Sequence, residues 1–295
     1  MFSFFKKNNM KKIVYFLEFI LVKFLLIIFK VIGYRLASNL GFYIGKTFGN
    51  IFRKKKSIIK NVHKSKIQIN ISENEFVNNV LGNYGRILAE YPFLKDFRKN
   101  KLKQFIKVDG IEILSQIKKK KEPVVFISGH FNNFELMAMQ IEKSGINLAA
   151  IYRPLNNIFL NKTMEQIRTK YICRNQIRKG RSGTRQILEN LKKGNSIALM
   201  IDQRVTEGKR IDFFGSLAST TTIPAQIIKK YRCHLVPIYI ERIKKYNFNM
   251  CVSQPIVVDE NKSLEEITKH LNKILEKMIL KNPDQWIWTH DRWKK

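Results

Sequence analysis

The sequence predicts an α/β layer fold, a largely parallel sheet flanked by helices, led by an N-terminal membrane-associated helix. From about residue 105, short apolar runs alternate with amphipathic stretches of helical length, the pattern of strand–crossover–strand units. Residues 13–32, "IVYFLEFILVKFLLIIFKVI", are almost wholly apolar. With 295 residues, 44% of them hydrophobic, the chain can bury a substantial core, and no repeat or Pro/Gly/Ser linker divides it.

The N-terminal run has the length that crosses a hydrocarbon core, about 20 residues. Glu18, Lys23 and Lys30 interrupt it. A charge near mid-helix costs about 2.5–3.5 kcal/mol, and each Leu, Ile, Phe or Val returns about 0.3–0.6, so insertion is near break-even. The segment either spans a bilayer or lies in its interface with the lysines snorkelling. A plain core helix is the reading without a membrane. The following "GYRLASNLG" lacks a small-x-small cleavage site, which argues against a signal peptide. "LASNLGFYIGKTFGNIF" extends the membrane-facing element, and "RKKK" at 53–56 puts the bulk of the chain on the cytoplasmic side.

Residues 57–104 read mostly helical, with apolar residues of "ENEFVNNVLGNYGRILAEYPF" at helical spacing after an early acidic cluster. Then "EPVVFISG" is a strand, 132–144 a helix, "NLAAIYR" a strand and 156–171 a helix. "GTRQILENLKKG" is a helix ending at Gly194, a C-cap glycine. "NSIALMID" is a strand, 221–231 a helix, "HLVPIYIER" a strand and 263–280 a helix.

The formal net charge of +32 points to an anionic partner: nucleic acid, an anionic membrane surface, or an acidic protein or substrate. Part of it goes with a general richness in Lys, Ile and Asn. Cys173, Cys233 and Cys251 form no CxxC pair and no metal-ligand spacing, which fits core packing in a reducing compartment.

Ligands of open α/β sheets gather beyond the strand C-termini, and His130, Arg153 and Asp202 all follow directly on expected strands. A neutral histidine held by a carboxylate is an effective general base near neutral pH. Glu135, five residues after His130, is the candidate carboxylate. Five positions apart on one helix the two would point about 140° from each other, so His130 must sit in the turn before the helix. Gly129 eases such a bend. There is no G-x-S-x-G elbow; Ser128 shares the strand face of His130 and is a minor candidate nucleophile, a substrate hydroxyl being the simpler one. Spacing alone leaves room for a bland alternative, a hydrogen-bonded turn histidine and a glutamate on a solvated helix face.

"SGHFNNFE" resembles the H-x4-D/E motif of glycerolipid acyltransferases, in the version carried by the lipid A secondary acyltransferases, the lauroyl/myristoyl transferases. Asn133 and Glu135 match; Asn132 stands where that family has glycine and Phe134 where it has tryptophan. Five further blocks resemble the family in order along the chain: "VDGIEIL" ahead of the motif, and "IYRPLNN", "GRSGTRQILENLKKGNSIALMIDQR", "FFGSLASTTTIPAQI", with Ile223 where the family commonly has glycine, and the tail "NPDQWIWTHDRWK" after it.

The resemblance implies a glycerolipid-acyltransferase-like fold and transfer of an acyl chain from an acyl carrier protein thioester to a hydroxyl of a lipid A precursor. His130 would be the base, oriented by Glu135, and no metal or other cofactor is called for. Arg153 and Arg181 would meet anionic substrate groups, with Asn133 and Asp202 also in the substrate-binding set. Asp202 is expected to orient an arginine or a polar network rather than perform chemistry. Residues 1–56 would be the membrane-associated segment and 57–295 the catalytic domain, at the cytoplasmic face of a bacterial inner membrane.

Trp286, Trp288 and Trp293 near the C-terminus are expected to pack in the core, an interfacial anchor being the alternative. The run Lys118–Lys121 reads as a solvated face. A lysophospholipid or other glycolipid acceptor is the competing enzymatic reading. A basic nucleic-acid-binding protein is the non-enzymatic one, but no RNP-type or helix-turn-helix motif supports it.

Overall fold

The computed structural model describes residues 2–52, 55–259 and 261–294, apart from the side chains of 2–9, 52 and 181. Its centre is a seven-stranded sheet in the order β1 (Ile106–Asp109), β9 (Asn247–Val252), β8 (Leu235–Lys244), β2 (Val125–Ser128), β5 (Ser196–Met200), β3 (Leu148–Tyr152), β4 (Asn175–Arg178). The five strands from β8 to β4 are mutually parallel, while β9 runs antiparallel to β8 and carries β1 in parallel. The largely parallel sheet expected from alternation is therefore present, with one antiparallel junction. Strand β2 is buried along its whole length because helices cover both faces of its sheet, which is why it reads as a continuous apolar run.

The helices are α1 (Phe2–Ile32), α2 (Tyr34–Phe52), α3 (Lys55–Ser65), α4 (Glu73–Glu90), α5 (Leu94–Arg98), α6 (Ile111–Lys120), α7 (Glu135–Lys143), α8 (Ile158–Ile167), α9 (Arg181–Lys192), α10 (Ile223–Tyr231) and α11 (Leu264–Lys281). Local chemistry sets their ends. Ser72 accepts from the Glu75 N–H at the start of α4, and Ser263 with Glu266 forms a full capping box on α11. Gly194 follows α9 with φ +79°, the left-handed position expected of a terminating glycine. Lys118, Lys119 and Lys120 occupy the exposed last turn of α6, where cations oppose the carbonyl end of the helix dipole.

Some pairings were not evident from periodicity: β1, β4, β9 and the separate hairpin of β6 (Lys209–Phe213) and β7 (Ser216–Thr220). The hairpin turns on Phe214 and Gly215, both with positive φ, as a two-residue turn between twisted strands requires.

Among the described residues no helix is long and apolar enough to cross a membrane. In α1 two of the three interrupting charges meet partners elsewhere in the protein. Glu18 accepts from Asn157 Nδ2 (3.0 Å) and Lys30 pairs with Asp96. Phe16 and Phe19 pack on Phe159 of α8. The opposite side of α1 carries an exposed apolar stripe. Of the basic run at 53–56, the first two positions lie outside the described residues.

Helix α2 is joined to the body by a close crossing with α4. A Cβ on Gly85 would lie 1.9 Å from the Gly41 carbonyl oxygen, and one on Gly45 2.3 Å from that of Leu81. Only glycine lets the two backbones approach this far. Gly85→Ala is accordingly expected to lower stability by about 1–3 kcal/mol or more, read as a lower denaturation midpoint at unchanged slope.

Candidate active site

Register builds the site. Parallel strands β2 and β5 pair Ser128 with Met200, and the Ile201 N–H donates to the Ser128 carbonyl (2.9 Å). Two residues further along each chain, His130 and Asp202 meet beyond the strand ends. The His130 main-chain N–H donates to Asp202 Oδ2 (2.7 Å), and ring Nδ1 lies 2.8 Å from Oδ1. A carboxylate only accepts, so Nδ1 carries a proton, and in the neutral ring Nε2 presents its lone pair. The His130 side chain is 20% exposed while that of Asp202 is wholly buried. Burial would raise the Asp202 carboxyl, but the His130 ring, its N–H and the Trp286 indole together hold it below its usual range.

Gly129 contributes space more than flexibility: a Cβ there would sit 2.9 Å from Phe131 and Leu275 side-chain atoms and 3.2 Å from Asp202 Oδ2. Asn132 adopts φ +44°, a left-handed conformation that asparagine tolerates better than most residues and glycine better still. Asparagine can therefore hold a position that would otherwise favour glycine. Its amide donates to Gln285 Oε1 (2.6 Å).

The expected pairing of His130 with Glu135 is not the one the chain makes. Glu135 opens α7, after the turn, and its Oε1 accepts from Arg168 Nε (2.8 Å), Arg168 Nη2 (2.6 Å) and Tyr91 Oη (2.5 Å). Burial first, then the Glu135 charge, pushes the Tyr91 hydroxyl well above its usual range, so it stays a donor. Arg168 is kept fully charged: burial opposes its charge, and Glu135 more than restores it. Nor is Asp202 placed to meet substrate, because its oxygens are taken up by His130 and Trp286. Asn133 is buried and donates to Glu90 Oε2 (3.2 Å), away from any exposed surface.

Arg153 is exposed just past the end of β3. It is joined by Lys179 at the end of the neighbouring β4, whose N–H donates to the Tyr152 carbonyl (2.8 Å). The Lys179 amine is pushed below its usual range by desolvation and by the Arg153 charge. Two cations thus converge on one rim. Arg181 begins α9; its side chain lies outside the described residues. Ser128, the minor nucleophile candidate, is buried and directed at Gly129 O and Met137 Sδ (both 3.4 Å).

A base held by a buried acid, at the carboxyl edge of a parallel sheet with a cationic rim, suits proton removal from a hydroxyl beside an anionic group. The family model described as bacterial lipid A biosynthesis acyltransferase matches residues 5–295. The chain belongs to this family. It is an acyltransferase of lipid A biosynthesis. It is 23% identical over 271 residues to the lipid A biosynthesis palmitoleoyltransferase of Escherichia coli (strain K12), covering 88% of this chain and 86% of the relative. The lauroyltransferase of that organism is 25% identical over 205 residues (66% and 63%), and its myristoyltransferase 21% over 182 residues (61% and 56%).

Sequence reasoning missed Arg168, Tyr91 and Trp286 as partners of the candidate site's carboxylates. None carries a local signal, since each reaches the site from a separate element. Arg168→Ala would leave the Glu135 carboxylate buried without its cation. A loss of about 3–5 kcal/mol in stability is expected, against a smaller loss for Arg168→Lys, measured by denaturant unfolding.

Proposed function

We propose that the protein transfers a fatty acyl chain from an acyl carrier protein thioester to a hydroxyl of a lipid A precursor, with His130 as general base held by Asp202. The 2.8 Å contact of His130 Nδ1 with Asp202 carries this reading, because it leaves Nε2 to accept the hydroxyl proton. As the proton moves to Nε2, the acceptor oxygen forms its bond to the thioester carbonyl carbon. The tetrahedral intermediate then collapses, the carbon–sulfur bond breaks, and the departing thiolate takes the proton back from the imidazolium. Asp202 stabilises that imidazolium without itself becoming protonated. Holding both reactants beside one base supplies much of the rate. Glu135 takes a structural share: it neutralises Arg168 and anchors the start of α7 behind the catalytic turn. Arg153 and Lys179 would receive phosphate or carboxylate groups of the substrates.

His130→Ala is expected to lower turnover about 10²–10⁴-fold, and Asp202→Asn to fall in the same range, with folding retained in both. A purified His130→Ala protein turning over acyl carrier protein thioester near normally would sink the mechanism. Expression in a bacterial strain lacking one secondary acyltransferase, followed by mass spectrometry of its lipid A, tests the acceptor; an unchanged lipid A and an altered phospholipid pool would favour a lysophospholipid acceptor instead.

Membrane attachment is the second part of the proposal. On α1, Ile13, Leu17, Ile20, Phe24, Ile27 and Val31 recur every three or four residues and are all exposed. On α2 the exposed Leu36, Leu40, Tyr43 and Phe48 continue an apolar surface. An apolar face on charged helices favours an interfacial position at the cytoplasmic leaflet of the inner membrane over a span, with the net charge of +32 attracted to anionic lipid and to acidic acyl carrier protein. Carbonate washing is expected to release the protein from membranes, whereas a spanning helix would resist it. Deleting residues 1–32 should lower activity on bilayer-embedded acceptor more than on detergent-dispersed acceptor.

A further inference from the structure

The mechanism leaves one end of Asp202 unexplained. Oδ1 serves the His130 ring, but Oδ2 accepts twice, from the His130 main-chain N–H and from Trp286 Nε1 (2.9 Å). Trp286 is buried, and it stands in the C-terminal segment 84 positions from Asp202. The residue before it grips the same turn from the other side. Gln285 accepts from the Asn132 N–H through its carbonyl (3.1 Å) and from the Asn132 amide through Oε1 (2.6 Å). Its own side chain is clamped across Arg242 of β8, taking the Arg242 N–H (2.9 Å) and giving Nε2–H to the Arg242 carbonyl (3.1 Å). Phe131, between His130 and Asn132, pairs with Trp286 as an isolated antiparallel bridge.

We propose that Gln285 and Trp286 are positioning residues of the transferase: the tail fixes the catalytic turn from one side and the Asp202 carboxylate from the other. This rests on the assignment of His130 and Asp202 as base and orienting acid. The physical reason is rotational. Without the indole both carboxylate oxygens would be held by His130 alone, Oδ1 by its ring and Oδ2 by its main-chain N–H, so the acid could turn about Cβ–Cγ with the ring it orients; the indole adds an independent donor on Oδ2. A second donor on that oxygen locks the plane, so Oδ1 stays on the Nδ1–H axis while the imidazolium forms and decays. The indole can only donate, so it stabilises the ionised acid at every stage. The neighbouring glutamine holds Asn132 in its left-handed conformation, which sets where the His130 ring leaves the strand. Neither residue touches a reactant.

The test replaces the indole N–H alone. A 3-benzothienylalanine at position 286 keeps the shape of tryptophan and substitutes sulfur for N–H. The same replacement at Trp293, whose Nε1 donates to Phe213 O (3.2 Å), is the packing control. Both full-length proteins are assayed with mixed saturated acyl–acyl carrier protein thioesters and lipid A precursor in detergent micelles, with thermal unfolding followed in parallel. The isostere at 286 is expected to lower kcat about 10–100-fold, the rate equivalent of one hydrogen bond to a charged group, with KM changed less than about threefold and the melting temperature near that of the 293 control. Gln285→Ala should lower kcat similarly, and Gln285→Glu should recover part of the loss because it keeps the acceptor for Asn132. Wild-type kcat in the 286 isostere, or equal losses at 286 and 293, would overturn the proposal. His130→Ala and Asp202→Asn run in the same assay separate the two failures. If they remain active the base assignment is at fault, and if they are inactive while the 286 isostere is normal only the role of the tail is.

Discussion

The buried carboxylate of Asp202 is the constraint around which the site is arranged. An ionised acid with no exposure must be paired and hydrogen-bonded, or it would neutralise itself. Here three N–H groups do this, two from His130 and one from Trp286. Meeting that demand requires β2 and β5 in their observed register, a residue without Cβ at Gly129 so the carboxylate can approach, and a C-terminal tail folded back over the strand ends. The arrangement that satisfies the anion is also the one that commits His130 Nδ1 to Asp202, on which the proposed role of Nε2 as a base rests.

A second buried carboxylate ties the site to the N-terminal helices. Glu90, at the end of α4, receives both terminal nitrogens of Arg242 (2.7 and 3.1 Å), the Ser38 hydroxyl of α2 (2.7 Å) and the Asn133 amide of the catalytic turn (3.2 Å). Arg86 adds a bond to Ser38 (3.0 Å). Buried ion pairs are weak net contributors to stability, but breaking one is costly, so such a cluster fixes how elements meet. Here it fixes α2, α4, β8 and the turn between His130 and Glu135 to one another. Together with the glycine crossing of α2 on α4, it ties α2, which bears part of the apolar surface, to the candidate site.

Much of this was legible in the sequence, and what was not has physical causes. The central strands β2, β3, β5 and β8 and the helices after them could be read because buried parallel strands are continuous apolar runs. Edge strand β4, "NQIR", is half polar and gives no such signal. Strand β9 alternates buried and partly exposed residues with period two, but its polar asparagines mask it. His130 and Glu135 in and after the turn that follows β2 stood out, as did Arg153 at a strand end. Their partnership did not: reasoning along the chain joined His130 to the nearest carboxylate, Glu135. Register between parallel strands joins it to one 72 positions away. Likewise the tryptophans were readable as core, and all three are buried, but the hydrogen bond from one of them to Asp202 is a tertiary fact.

The central claim is that Asp202, not Glu135, holds His130. Nitrogen NMR of the imidazole, with the ring assigned among the five histidines by substitution, measures this directly. Near neutral pH, Nδ1 of His130 is expected to give a strongly hydrogen-bonded N–H resonance that Asp202→Asn abolishes and Glu135→Gln leaves in place. Loss of the signature in Glu135→Gln with its survival in Asp202→Asn would contradict the account.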